Sequence, residues 1–167
     1  ERFIQHPAHA IEQSRITINS MAAEAQENLA EAVRLLHHYS DEGYRTVVEM
    51  EQVVDRYEDR LGSYLVKLTG QELSSKQNED ASKFLHTISD FERISDHALN
   101  IAQTAKEMRE KSIVFSDDAL RELAVLESAL AEIVHITVNA FIRNDLSLAS
   151  RVEPLEELID DLCDELK

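Results

Sequence analysis

The chain is poor in the residues that break helices and in those that build catalytic loops. Its 167 residues include only three Gly and two Pro, no Trp, and a single Cys. So little Gly and Pro excludes a loop-rich or all-β architecture and points to long uninterrupted helices. One cysteine, Cys163, rules out an internal disulfide framework and fits a reducing compartment. Positive charge is also scarce: 17 Lys and Arg stand against 33 Asp and Glu, for a net charge of −16. Phosphate-backbone contacts need clustered cations, so nucleic acid is excluded as a partner, and an anionic membrane surface would repel the chain. No uninterrupted run of 18 apolar residues occurs, which argues against a bilayer span. The N-terminal residues lack the apolar segment of a signal peptide. They also lack a starting Met, so the sequence reads as an excised piece of a longer protein.

What is present is helical periodicity. Apolar spacing predicts a first helix from about Pro7 to Tyr39, with Ile11, Ile18, Met21, Ala25, Leu29, Ala32, Val33 and Leu36 inward. Ser40 or Asp41 caps a second helix, whose seam is Val47, Met50, Val54, Tyr57, Leu61, Tyr64 and Leu68, closed by Gly70. A short turn leads to a third helix over about 75–111, with Phe84, Ile88, Phe91, Ala98, Ala102 and Ala105 inward. An extended stretch from Ser112 to Ser116 follows. Ser116 opens a fourth helix burying Leu120, Leu123, Leu126, Leu130, Val134, Val138 and Phe141. A fifth helix runs from near Leu146 to the C-terminus. Pro154 either kinks it or marks its true start, with Ser150 and Glu153 as a capping box. Helices of about 30 residues are about 45 Å long and, with short loops, neighbours run antiparallel. The expected fold is all-α, an elongated antiparallel bundle of five helices.

A shift of 105 residues aligns the chain with itself. Ile18 meets Leu123, Met21 meets Leu126, Val33 meets Val138, Val54 meets Ile159 and Leu61 meets Leu166. The acids Glu51, Asp55 and Asp59 meet Glu156, Asp160 and Asp164, and the helix break coincides as well. The chain reads as one domain, 1–167, made of a complete three-helix repeat over 1–112 and the first two helices of a second over 113–167. A partner for the third helix would begin near position 180, past Lys167. The groove this leaves must be covered by the first repeat, by another copy, or by further sequence.

Three acidic pairs sit at i,i+4 spacing: Glu51 with Asp55, Glu92 with Asp96, and Glu156 with Asp160. Such pairs share a helix face and repel by a few tenths of a kcal/mol, which a bound cation reverses. Carboxylates without His or Cys favour Mg, Mn, Ca or iron. With 33 acids in 167 residues, several such pairs arise by chance, and a solvated face is the plainer reading. The position of the first two pairs strengthens the case for a metal without displacing that plainer reading: they flank apolar seams, and Ser95 and Ala98 beside the second would let helices approach closely. The histidines carry less. His37 and His38 suit a helix C-terminus, His97 points away from Asp96, and His135 has no matched acid. There is no Gly-rich phosphate loop, nucleophile elbow or zinc spacing, so no enzyme is expected.

The stretch Asp90-Phe91-Glu92-Arg93-Ile94-Ser95-Asp96-His97-Ala98-Leu99-Asn100-Ile101-Ala102 resembles the most recognisable motif of the PhoU-like family. Glu51-Gln-Val-Val-Asp55 and Glu156-Glu-Leu-Ile-Asp160 resemble its other acidic motif. Segments 63–68 and 115–123 are similar to one subgroup, the cytoplasmic C-terminal domain of bacterial sodium/phosphate cotransporters. The resemblance implies tandem three-helix repeats and a role in phosphate transport or its regulation at the cytoplasmic face of the cell membrane. It implies a membrane-embedded transporter domain of the same chain as partner, or a homo-oligomer. The alternatives are a free-standing regulator of phosphate uptake and signalling, and a purely structural bundle. It also implies a divalent or trivalent cation (iron, manganese, magnesium, zinc or calcium) at Glu51, Asp55, Glu92 and Asp96, with Glu156 and Asp160 as half of a second, incomplete site. Ser95 stands where the family usually has Gly.

Overall fold

The structure, a computed structural model, describes residues 6–165. Among these every regular element is an α-helix: α1 Pro7–His37, α2 Asp41–Thr69, α3 Ser75–Glu110, α4 Asp117–Arg143, α5 Leu146–Ala149 and α6 Val152–Glu165. The chain divides into two compact units between Gln103 and Thr104, inside α3.

The first unit is an up-down-up arrangement of α1, α2 and α3. Pro7 opens α1 at a position where no amide hydrogen is needed. Its buried face is Ile11, Ser14, Ile18, Met21, Ala25, Asn28, Ala32 and Leu35, an unbroken alternation of three- and four-residue steps. Leu29 is buried beside it, as expected. Val33 and Leu36, expected inside, are half-buried. Leu35 takes the seam instead, because it continues the Asn28–Ala32 row and meets α2 at Gly43. A Cβ on Gly43 would lie 2.7 Å from Leu35 Cδ2, so the absence of a side chain there sets how closely the two helices approach.

Ser40 caps α2 as expected: its Oγ accepts a hydrogen bond from Gly43 N–H at 3.0 Å. Gly70 follows the helix with φ −76°, a right-handed conformation open to any residue, so the left-handed freedom of glycine is not used there. The start of α3 is a reciprocal capping box. Ser74 Oγ accepts from Gln77 N–H (3.3 Å) and Gln77 Oε1 accepts from Ser74 N–H (2.9 Å). Ala81, Phe84, Ile88, Phe91, Ser95, Ala98 and Ala102 form its buried row, again in three- and four-residue steps. Each fully buried large side chain, such as Ile18, Met21, Leu65, Phe84 and Ile88, contributes about 1.5–3 kcal/mol.

Two pairings set the direction of α3. On α1, Arg15 lies over the Phe84 ring and near Asp80, while Asn28 meets Ser95, so α1 and α3 run parallel. On α2, Glu58 accepts from Ser89 Oγ at 3.1 Å, and Gly62 faces Ile88.

In the second unit, α3 ends at Glu110 and is closed by Ser112, whose φ is 54°, with Ile113 N–H reaching back to the Met108 carbonyl at 2.9 Å. The segment expected to be extended therefore starts with a left-handed residue closing a Schellman motif. Ser116 Oγ caps α4 by accepting from Ala119 N–H at 3.2 Å. Asn144, left-handed at φ 51°, ends α4, and Asp145 N–H bonds the Ala140 carbonyl at 2.9 Å. Asp145 Oδ1 then accepts from Ser147 and Leu148 N–H at 2.9 and 3.2 Å, opening α5. Under the 105-residue shift Ser40 falls on Asp145, so both N-caps coincide.

The expected fifth helix is present in two pieces. Pro154 has no N–H to give the Ser150 carbonyl and its ring clashes there, so the chain stops at Ser150-Arg151 and restarts at Val152. The Ser150 hydroxyl donates to the Ser147 carbonyl at 2.9 Å. Leu166 and Lys167, which the sequence places in this helix, lie outside the described residues.

In α4 only Ile136 and Val138 are buried. Leu120, Leu123, Leu126, Leu130, Val134 and Phe141 are half-buried instead of forming a closed core. The helix contains an 18-residue window of mean hydropathy 1.5, long and apolar enough to cross a membrane by length and composition alone. The uninterrupted-run criterion missed it because averaging tolerates the scattered Glu127 and Glu132.

Candidate functional site

The site is built around one buried amide. Asn28 occupies a core position of α1 and is fully buried. With its oxygen facing the donors, Oδ1 accepts from the Glu51 backbone N–H (3.2 Å) and the Ser95 hydroxyl (2.7 Å), and Nδ2 donates to the Val47 carbonyl (3.2 Å). A single side chain thus ties α1 to α2 at Glu51 and to α3 at Ser95. Ser95 is itself buried, and its small side chain leaves room for the amide.

This tie sets the two acidic pairs facing one another. Glu51 and Glu92 are half-buried; Asp55 and Asp96 are exposed. Burial pushes the Glu51 carboxyl above its ordinary range, and the charges of Asp55 and Asp96 push it the same way. Glu92 is raised by burial first, then by Asp96, Glu58, Asp55 and Glu51. These mutual effects cross from α2 to α3, so the carboxylates of both helices share one field. Among the described residues none of the four forms an ion pair with Lys or Arg. The repulsion is left standing.

The donor chemistry fits a hard cation: several carboxylates, half-dehydrated and uncompensated. As placed, however, no group of three or more Asp, Glu, His or Cys among the described residues closes around an ion. Binding would require side-chain rotation to draw the carboxylates together. Glu156 and Asp160 are both exposed on α6, in the second unit.

Two contributors escaped the sequence reading. Glu58 continues the Glu51–Asp55 stripe by one more turn and adds to the charge on Glu92. Asn28 went unread within an apolar row; its three-four spacing from Ala25 and Ala32 was the available signal. His37, His38 and His97 are exposed, away from the core. His135 is exposed, its carbonyl accepting from Asn139 Nδ2 at 2.8 Å. Cys163 is half-buried.

The PhoU domain model matches residues 18–105, more than half of the chain. The chain belongs to the PhoU family. The PhoU match takes in Asn28, Glu51, Asp55, Ser95, Glu92 and Asp96, and ends close to the division between the two units. Among similar proteins is the phosphate-specific transport system accessory protein PhoU of Edwardsiella tarda. It is 27% identical over 154 residues, which is 90% of this chain and 61% of the relative. PhoU homolog 1 of Thermotoga maritima, named as an accessory protein of the same kind, is 24% identical over 146 residues, 87% of this chain and 62% of the relative. The chain spans about three-fifths of the length of these relatives. No solved structure matches.

Proposed function

We propose that this PhoU-family chain regulates phosphate uptake as an accessory to a membrane phosphate transport system, with the transporter as its partner and no reaction of its own. The observation that carries this is the PhoU match over the whole carboxylate site, joined to relatives named as accessory proteins of phosphate-specific transport. Those names favour the free-standing regulator over the fused domain of a sodium/phosphate cotransporter. On this reading the protein works at the cytoplasmic face of the membrane.

The proposal includes a cation at Glu51, Asp55, Glu92 and Asp96. When bound, it would supply the positive charge that the patch lacks. The chain's own part is to hold the two carboxylate pairs in opposition through Asn28 and to keep Glu51 and Glu92 partly dehydrated. Regulation would then be read as the approach of α2 to α3.

Phosphate uptake by cells carrying the native gene, a deletion and a Glu51→Ala, Asp55→Ala, Glu92→Ala, Asp96→Ala variant tests the role. The expected outcome is altered uptake in the deletion strain and an intermediate defect in the variant. Unchanged uptake in the deletion strain removes the regulatory reading. Metal content of protein purified without chelator tests the cation, and equal metal in native and variant protein leaves a solvated structural bundle in its place.

A further inference from the structure

A second concave feature lies in the first unit, apart from the carboxylate face. Helices α1 and α2 enclose an open groove of about 530 Å³. That volume lies in the range of small-molecule sites, roughly 300–1,000 Å³. Its chemistry is opposite to that of the rest of the molecule. In a chain of net charge −16, the groove is lined by two arginines, Arg56 and Arg60, and by no Asp or Glu.

Arg56 and Arg60 are one helical turn apart on the same face of α2, where like charges repel by a few tenths of a kcal/mol. Neither has an ion pair among the described residues, a state shared by Arg45, Arg93, Arg109 and Arg143, but of these only Arg56 and Arg60 line the groove. Two guanidiniums left unpaired, in a protein with an excess of acids, form an electropositive rim awaiting an anion. Tyr57 and Tyr64 stand on the neighbouring stripe of α2 and are half-buried. Burial pushes the Tyr64 phenol up, so it stays protonated and remains a hydrogen-bond donor. Gln13 adds an exposed amide from the α1 wall. Ser14 and Thr17 add two hydroxyl-bearing side chains from α1, and Val53 and Leu61 with the two tyrosine rings supply the apolar part.

We propose that this groove binds a phosphate-bearing organic anion, with Arg56 and Arg60 on the phosphate and the tyrosine–aliphatic floor against the organic part. Guanidinium forks match phosphate oxygens bidentately, which ammonium groups do not. A groove of this volume with an apolar floor suits a phosphate ester better than orthophosphate alone. The proposal rests on the groove's geometry and not on the regulatory reading above. The binding assay and the uptake assay can therefore fail independently.

Calorimetric titration of the full chain in chelator tests it, so that no cation bridges phosphate to the carboxylate patch. The probes are ATP, pyrophosphate, orthophosphate, sulfate and a polyglutamate peptide. ATP is expected to bind at least tenfold more tightly than orthophosphate or sulfate. Arg56→Gln with Arg60→Gln should weaken ATP at least tenfold, and Tyr57→Phe with Tyr64→Phe should weaken it severalfold. Glu153→Gln, at an exposed acid of the second unit, should leave it unchanged. Both arginines are exposed, and Arg60→Gln alone gives the same reading should the double variant unfold. Binding of ATP that survives loss of the arginines, sulfate equal to ATP, tighter binding of the peptide, or no ATP binding at millimolar concentration would each overturn the assignment.

Discussion

Replacing Glu92 by Gln removes one charge from the carboxylate patch while keeping the shape of the side chain, and its effect should change sign with metal. In chelator at pH 7, Glu92 is held among Asp96, Glu58, Asp55 and Glu51 with burial also against its charge. The i,i+4 pair with Asp96 alone costs about 0.2–0.5 kcal/mol. The cross-helix charges add to this, but Glu92 keeps much of its solvent contact, so screening holds the total below about 1 kcal/mol. For a unit of this size 1 kcal/mol corresponds to about 4–8 °C in Tm. Glu92→Gln should therefore melt a few degrees higher than the native chain. The pH profile has the same origin. A carboxylate whose folded pKa lies above its unfolded value destabilises the fold when both states are ionised. That cost is relieved as pH falls through the raised value, because the folded state takes up the proton first. Native protein in chelator should gain stability from this site on going from pH 7 down toward the ordinary range of a glutamate carboxyl, and Glu92→Gln should show a smaller gain. High salt should shrink the coulombic part of the difference. With manganese added, the order reverses: a cation at 100 times its Kd stabilises the native chain by about 2.7 kcal/mol, and the variant should lose most of that. Thermal melts in four conditions (chelator or manganese, low or high pH) read all of this. A variant that melts lower than native protein in chelator would refute the uncompensated-patch reasoning, and an undiminished manganese shift would refute the ligand role.

Other perturbations probe the supports. Asn28→Ala removes the partner of the buried Ser95 hydroxyl and two contacts to the α2 backbone; urea unfolding should show a loss of about 1–3 kcal/mol. Gly62→Ala adds a methyl in mid-helix with nothing nearer than Ile88 Cδ1 at 3.7 Å, so the same assay should show a gain of up to about 1 kcal/mol. Pro154→Ala restores the amide that the Ser150 carbonyl lacks, and hydrogen exchange should reveal one continuous protected helix in place of α5 and α6.

The helix plan was legible because its punctuation is chemical and local. Ser40 and Ser116 cap where their hydroxyls predict, and Pro7 opens α1. The seam of α3 was equally plain, since Phe84, Ile88 and Phe91 stand out against polar neighbours. What stayed hidden depends on partners distant in sequence. Whether Leu35 or Leu36 lies inside is settled by Gly43 on the next helix. The half-exposure of α4 depends on what packs against it, which its own spacing does not encode. For the site, the four carboxylates were visible as pairs, but hydrophobic patterning is blind to a polar core residue such as Asn28. Glu58 was lost among the other acids.

The break before Pro154 bears on the repeat itself. A continuous helix carries angular phase along its length: once α2 leaves its cap at Ser40, the directions of Glu51 and Asp55 follow by rotation alone. The corresponding cap at Asp145 starts only a single turn. The helix holding Glu156 and Asp160 begins anew at Val152, so its azimuth is set after the interruption. Two segments in perfect numerical register need not present the same face, and here one proline uncouples the count of residues from the direction in which the acids look.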